Sequence, residues 1–170
     1  MSHSSWRKRL ALTLTHLSKD NHTPRLAIVG VGSEQNGDDG AGSYFIRHLK
    51  KYPFENESIL LIDGGPAPEN FSGILRRFQP DLVLLFDAAW MEKPAGYVDL
   101  FDWQQIGGFT GSTHGLPLTL LSGYLQEELG CSVFLLAIQP GQTEWGALIS
   151  DEVKVVVEQT ADVLRELILC

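Results

Sequence analysis

Four short apolar runs, rich in Ile, Val, Leu and Phe, recur along this chain without intervening polar positions. They are residues 26–32, 58–63, 82–87 and 132–138. A strand covered on one face alternates apolar and polar residues, whereas a continuous apolar run of this length is typical of a strand covered on both faces. The pattern therefore predicts a mostly parallel sheet between two layers of helices.

Helical patterns separate these runs. Apolar residues recur at helical spacing in three stripes, of which the second stops at Gly130 and the third follows the acidic pair Asp151-Glu152. The stripes are Phe71, Ile74, Leu75 and Phe78; Leu118, Leu121, Leu125 and Leu129; and Val153, Val157, Leu164 and Leu167. Alternation of strands and helices places the chain in the α/β class.

One further strand is expected between Gly96 and Asp102. It follows the third apolar run after about ten residues that contain Pro94, which is too few for a crossover helix. We therefore predict an antiparallel edge strand and a twisted sheet of about five strands.

The first residues differ from the rest of the chain. Leu10, Leu14 and Leu17 have helical spacing, and the stretch from Lys19 to Pro24 is polar. We expect an N-terminal helical extension and linker over residues 1–24, followed by one domain over residues 25–170.

Composition limits the functions that this chain can have. The 170 residues are enough for one domain with a sizeable core, and the net charge of -8 disfavours binding to nucleic acid or to an anionic membrane. There are only two cysteines, Cys131 and Cys170, no leader-like N-terminus and no run of about 18 apolar residues. We expect a cytoplasmic protein that does not insert into membranes.

Three potential metal ligands lie where functional loops are expected. Asp39 precedes a predicted helix in Gly37-Asp38-Asp39-Gly40, Asp87 ends the third apolar run, and His114 lies in a loop. In a doubly wound sheet the loops at the carboxyl ends of the strands form a crevice, so these side chains could converge there. Two oxygens and one nitrogen with open positions suit an exchangeable divalent metal with a catalytic role better than a closed structural site.

Each of these residues also has a structural interpretation. One of Asp38 and Asp39 could cap a helix, Asp87 could form an Asx turn, and His114 could be a hydrogen-bonded loop histidine. Asp63, at the end of the second run, could support the site, contact substrate or form a turn. The functional interpretation depends on the three ligands together.

The sequence motifs of other binding and catalytic sites are incomplete or absent in this chain. The segment from Gly30 to Gly40 has Gln35 where a dinucleotide fingerprint needs its third glycine, and the two aspartates would repel a phosphate. The His-Glu-x-x-His and Gly-x-Ser-x-Gly signatures are absent. Ser112 and Cys131 lack a recognisable local base, so we interpret both as structural or solvent contacts.

A set of motifs, in order along the chain, closely resembles the hydrogenase maturation endopeptidases, particularly the HycI-type subgroup. The resemblance runs from about Leu26 through the last helix. The motifs are Gly30-Val31-Gly32, Gly37-Asp38-Asp39-Gly40-Ala41-Gly42, Ile62-Asp63-Gly64-Gly65-Pro66-Ala67-Pro68-Glu69-Asn70, Phe86-Asp87-Ala88, Thr113-His114-Gly115-Leu116-Pro117-Leu118 and Ile138-Gln139-Pro140.

The resemblance implies both a site and a substrate. The family's metal-site positions correspond to Asp39, Asp87 and His114, and we place Asp38, Asp63, Gly64 and Gln139 around them as residues that support the site or contact substrate. Members of the family remove a C-terminal extension from the precursor of a nickel-iron hydrogenase large subunit after nickel insertion. The nickel is then carried by the substrate, although other divalent metals could occupy the site in vitro.

Two features depart from the family pattern. Ser33 stands where the family commonly has Asn, and the first 24 or so residues extend beyond the usual start of the domain. The extension could be a partner-binding helix or disposable.

We therefore expect a monomeric endopeptidase in which Asp39, Asp87 and His114 engage the nickel of the precursor. Two alternatives remain at this point. One is a metal-dependent hydrolase of another peptide or small molecule, and the other is a nickel-sensing or chaperone-like module that binds the precursor without cutting it.

Overall fold

A single five-stranded sheet forms the centre of the molecule within the described residues, which in this computed structural model are 3–19, 22–108 and 117–169. The strands are β1 (Leu26–Val31), β2 (Ile59–Gly65), β3 (Leu82–Ala88), β4 (Val98–Asp102) and β5 (Ser132–Ile138). Their order across the sheet is β2-β1-β3-β5-β4, and only the β4–β5 pairing is antiparallel. The predicted α/β class and the antiparallel edge strand are confirmed.

Helices cover both faces of this sheet. They are α1 (His3–Leu17), α2 (Ala41–Lys50), α3 (Ser72–Phe78), α4 (Leu118–Leu129) and α5 (Asp151–Leu169). Leu84 of β3 belongs to the core shared with α1, α2 and α5, while its neighbour Leu85 belongs to the core shared with α3 and α4. Alternate residues of one apolar strand thus supply two separate cores. Among the helices described, none is both long and apolar enough to span a membrane.

Two predicted burial patterns differ from the structure. The run at 58–63 was expected to be covered on both faces, but in β2 only Ile62 and Gly64 are buried, because this strand lies at the edge of the sheet. In the stripe that begins at Phe71, Leu75 packs into the core whereas Ile74 is 36% exposed. The inward face of that helix is therefore narrower than its apolar spacing suggests.

Helix α1 packs against the same core as α2 and α5. Trp6 and Leu10 are fully buried in it. Arg9 donates a hydrogen bond of 2.6 Å from Nη1 to the carbonyl oxygen of Leu100 in the edge strand β4. A side chain that occupies an edge carbonyl makes the strand less available for pairing with another chain. The division of the chain into an extension and a domain at residue 24 stays a prediction.

Two glycines allow α2 to lie directly on the sheet. A Cβ atom at Gly30 would be 2.6 Å from the carbonyl carbon of Gly42, and one at Gly42 would be 2.6 Å from the carbonyl oxygen of Phe86. Real Cβ atoms essentially never approach other atoms so closely. The ring of Phe45 then stacks on that of Phe86, with centroids 3.9 Å apart. This close packing positions the turn that precedes α2 above the carboxyl ends of β1 and β3.

Candidate functional site

The carboxyl ends of the parallel strands bring four connecting segments to one edge of the sheet. Asp63 pairs in register with Gly30, and Asp87 pairs with Ala137. The segments that follow β1, β2, β3 and β5 therefore start at similar heights. This is the crevice at which α/β sheets usually bind their ligands.

Asp39 lies in a 3-10 turn, Gly37–Gly40, between β1 and α2. Its side chain is only 5% exposed, and its Oδ2 accepts a hydrogen bond of 2.9 Å from the backbone N–H of Ser33. The donor is the backbone of Ser33, so this bond does not depend on the side chain that departs from the family pattern. The bond fixes the orientation of the Asp39 carboxylate.

Asp87 lies near the end of β3 and is 3% exposed. Gly32 lies next to both Asp87 and the turn that contains Asp39. With a φ of +123°, Gly32 has a conformation that side chains rarely adopt; a Cβ there would overlap the carbonyl oxygen of Asp39 and lie 3.6 Å from Oδ1 of Asp87. The backbone of the turn bearing Asp39 and the carboxylate of Asp87 thus border the same glycine.

His114, the third predicted ligand, lies outside the described residues, together with its neighbours at 109–116. Its position relative to the two aspartates stays a prediction. Within the described ranges no group of three or more His, Cys, Asp or Glu residues could hold a metal ion. The part of the site that the structure describes is therefore a pair of buried carboxylates.

Asp38 has a different environment from Asp39. It is fully buried, and its carboxylate accepts three backbone hydrogen bonds: Gly141 at 2.7 Å and Gln142 at 3.0 Å on Oδ2, and Ser150 at 2.7 Å on Oδ1. Asp38 therefore joins the turn before α2 to the loop between β5 and α5. The helix-capping interpretation is wrong, because α2 begins after Gly40 with no side-chain cap.

Gln139 organises the segment that follows Asp87. It is 2% exposed, and its Oε1 accepts hydrogen bonds from the backbone N–H groups of Met91 at 2.7 Å and Lys93 at 3.3 Å. Its Nε2 donates to the carbonyl oxygen of Pro140 at 3.1 Å. The side chain thereby ties the β3–β4 connection to the end of β5.

Asp63 and Gly64 support the neighbouring strand. Oδ1 of Asp63 accepts a hydrogen bond of 2.6 Å from Oγ of Ser43 in α2. Gly64 is buried, and a Cβ there would lie 3.0 Å from the carbonyl oxygen of Gly30. Both residues therefore pack β2 against β1 and α2 at the level of the crevice.

The donor atoms fit a divalent cation. Carboxylate oxygens at Asp39 and Asp87, with an imidazole nitrogen from His114, would make a mixed set that suits borderline divalent metals such as nickel or zinc. Metal binding at these residues stays a prediction.

A cavity of about 670 Å³ lies at the opposite end of the sheet. It is lined by α1 and α5 and by the first residues of β1 and β2, including Leu14, Leu26, Ile59 and Leu167. None of the predicted site residues lines it. We place the chemistry at the carboxyl edge despite the size of this cavity, because the buried carboxylates are there.

From the loop between β5 and α5, sequence analysis assigned only Gln139 to this edge and missed the rest of the loop. The signal was present: Trp145 and Leu148 are large apolar residues in a segment with Gly141 and Gly146 that directly follows a buried strand. Loops at the carboxyl ends of parallel strands carry function more often than other loops.

Comparisons with known proteins agree with one another. The family model of the hydrogenase maturation proteases, HycI, matches residues 43–166, a range that includes Asp87 and His114 but begins after Asp39. A protein of Methanocaldococcus jannaschii, provisionally named a hydrogenase maturation protease, is 32% identical over 158 residues, which cover 89% of this chain and 93% of that protein. The hydrogenase 3 maturation protease of Escherichia coli K12 is 36% identical over 114 residues, covering 66% and 71%.

Solved structures show the same fold. The crystal structure of a NiFe hydrogenase maturation protease, HycI from Thermococcus kodakarensis KOD1, matches with a TM-score of 0.82 and 29% identity. The match covers 94% of this chain and 99% of that one.

Proposed function

This chain belongs to the hydrogenase maturation protease family, and we propose that it removes the C-terminal extension of a nickel-iron hydrogenase large-subunit precursor after nickel has been inserted. It is a peptide hydrolase, as the named members of the family are. The proposal concerns the order of events and the way in which the enzyme recognises a precursor that is ready to be cut.

The observation that supports the proposal is that the backbone of the turn bearing Asp39 and the carboxylate of Asp87 both border Gly32. Both carboxylates are almost completely buried, yet they lie at the edge of the sheet where substrates bind. In the proposed complex, Asp39, Asp87 and His114 bind the nickel already present in the precursor. Recognition through the metal explains why cleavage follows nickel insertion.

The same contact positions the scissile bond. A divalent ion can polarise a carbonyl group or lower the pKa of water, and either effect assists peptide hydrolysis. The residues of this chain supply orientation: the Ser33 backbone directs the carboxylate of Asp39, and Gln139 fixes the segment after Asp87. In this proposal Asp39, Asp87 and His114 recognise the nickel, and a group within reach of the bound substrate transfers the proton.

We further propose that the enzyme acts in the cytoplasm as a monomer.

Cys131 is buried and is a free thiol, and its burial raises the pKa of that thiol, which makes it a poor nucleophile or redox group. These properties support a structural role for this cysteine.

The test is the intact mass of the large-subunit precursor from the same genome, before and after incubation with this protein. We expect the nickel-loaded precursor to lose one defined C-terminal peptide and the nickel-free precursor to keep its mass. An unchanged mass of the loaded precursor in a stable complex would favour a binding module instead.

Substitution tests the assignment of the three ligands. Asp39→Ala, Asp87→Ala and His114→Ala should each slow cleavage of the loaded precursor by at least about 100-fold, a loss typical of groups that act on the reacting atoms. Cleavage at the wild-type rate by all three variants would exclude this site.

A further inference from the structure

The loop between β5 and α5, residues 139–150, exposes two large apolar side chains. Trp145 is 78% exposed and Leu148 is 82% exposed, which are the highest values among the large hydrophobic residues of the described ranges. Single exposed apolar residues are ordinary, whereas this loop exposes two large ones within four positions, and larger apolar surfaces mark interaction sites. Trp is also the residue type most enriched where binding energy concentrates in protein interfaces.

The loop that exposes these two side chains is held in place by hydrogen bonds to other parts of the molecule. The N–H of Gly146, which has a φ of +80°, donates to the carbonyl oxygen of Gln35 at 2.7 Å, and the N–H of Gly37 donates to the carbonyl oxygen of Ala147 at 3.0 Å. The buried Asp38 carboxylate binds both ends of the same loop, at Gly141 and Ser150. The loop therefore keeps a fixed position relative to the turn that bears Asp39.

A small cavity lies beside Leu148. Its volume is about 220 Å³, and it lies between the loop, the turn Gly37–Gly40 and the residues Tyr44 and Arg47 of α2. Ligand pockets are usually about 300 Å³ or larger, so this cavity is suited to one side chain of a partner. Arg47 and Glu34 form an ion pair at its rim, and both are about half exposed.

This surface is continuous with the candidate site. Gly37 and Gly40 of the turn line the cavity, and the same turn contains Asp39, whose carbonyl oxygen borders Gly32. A protein whose peptide bond reaches the Asp39–Asp87 pair must cover the surface that borders it. The acidic residues Glu34 and Glu144 and the net charge of -8 disfavour nucleic acid or an anionic membrane as the occupant.

We propose that Trp145, Leu148 and the cavity beside Leu148 form a docking surface for the folded body of the hydrogenase large-subunit precursor. This inference rests on the proposed function, because it takes its partner from that function. The surface contributes affinity and orientation and does not contact the nickel. Contacts at this surface therefore form with both the nickel-loaded and the nickel-free precursor, and the nickel adds its own contacts at the site.

The experiment compares Trp145→Ala, Leu148→Ala and the double variant with wild type, using the precursor as the probe. Leu12→Ala is the matched control, since Leu12 is 62% exposed on α1. Dissociation constants for the nickel-free precursor are measured by biolayer interferometry, and kcat and KM for cleavage of the loaded precursor by mass spectrometry. Melting temperatures verify that the variants fold, which we expect because the substituted side chains are exposed.

We expect Trp145→Ala to weaken binding and raise KM at least about tenfold, with kcat within about twofold of wild type. Leu148→Ala should show a smaller change of the same kind, and Leu12→Ala none. Wild-type affinity and KM in the double variant would overturn the docking surface while leaving the proposed function in place.

Failure of the proposed function gives a different result. If wild type binds the precursor but leaves its mass unchanged, the protease assignment to this substrate fails, and lost binding in the double variant still supports the surface. If wild type neither binds nor cuts the loaded precursor, both proposals are overturned.

Discussion

Asp38 and Asp39 are neighbours in sequence, but their carboxylates bond to different parts of the molecule. Asp38 accepts three backbone N–H groups from the β5–α5 loop, whereas Oδ2 of Asp39 accepts the backbone N–H of Ser33, just after β1. A single residue of offset along a tight turn is enough to direct the two carboxylates to different segments of the chain.

The structural role of Asp38 is testable. In Asp38→Ala, three backbone N–H groups lose a charged acceptor, and we expect the free energy of unfolding to fall by about 3 kcal/mol. Urea denaturation monitored by circular dichroism measures the change. Glu144→Ala, an exposed acidic residue of the same loop, is the control and should stay within about 0.5 kcal/mol of wild type. An unchanged denaturation midpoint for Asp38→Ala would contradict this role.

Among the elements, α2 and α5 are joined by a polar contact as well as by their shared core. The hydroxyl group of Tyr44 in α2 donates a hydrogen bond to the carboxylate of Glu158 in α5. Burial, followed by this bond and the charge of Glu158, raises the pKa of Tyr44 to about 12, and the same bond lowers the pKa of Glu158. Both shifts favour the state with a neutral phenol and an ionised carboxylate.

The pair should therefore stabilise the fold over a defined pH range. The stability that Glu158 contributes to the fold is complete above its ordinary pKa of 4.5 and is lost as the pH falls through its lowered pKa. The stability that Tyr44 contributes is complete below its ordinary pKa of 10.0 and is lost as the pH rises through about 12. We expect Tyr44→Phe to lose about 1 kcal/mol of unfolding free energy at pH 7. The deficit should shrink as the pH is lowered below 4.5.

Urea denaturation of wild type and Tyr44→Phe across this pH series measures the deficit. Tyr52→Phe is the control, because Tyr52 is 62% exposed and the substitution retains its ring. A deficit that is the same at every pH would show that the lost contact is not the one with ionised Glu158.

For the whole molecule, α1 is part of the main core. Trp6 and Leu10 are fully buried among residues of α2, α5 and the sheet, and Arg9 bonds to the edge strand β4. Of the two interpretations of the N-terminal residues, a disposable extension disagrees with this packing. A helix whose apolar side chains complete a core is needed for the stability of that core.

Two leucines of α1 provide a matched test. Leu10→Ala should lower the free energy of unfolding by about 2 to 5 kcal/mol, because it leaves a cavity in the core. Leu12→Ala removes the same atoms from a side chain that is 62% exposed and should change it by less than about 0.5 kcal/mol. Chemical denaturation of both variants measures the difference. Equal stabilities would indicate that α1 is dispensable for the fold.

The sequence by itself determined the class of fold, the strand positions and the antiparallel edge strand, because burial on two faces and the minimum length of a crossover leave direct patterns in the chain. It also singled out Asp39 and Asp87, since both lie at ends of predicted elements. Only the tertiary structure decided that Asp38 is bound by the β5–α5 loop, that β2 is only partly covered and that α1 joins the core. These outcomes depend on contacts between residues far apart in sequence: Asp38 binds amides more than 100 positions away, and Gly42 lies against Phe86. Local periodicity and propensity contain no information about such partners.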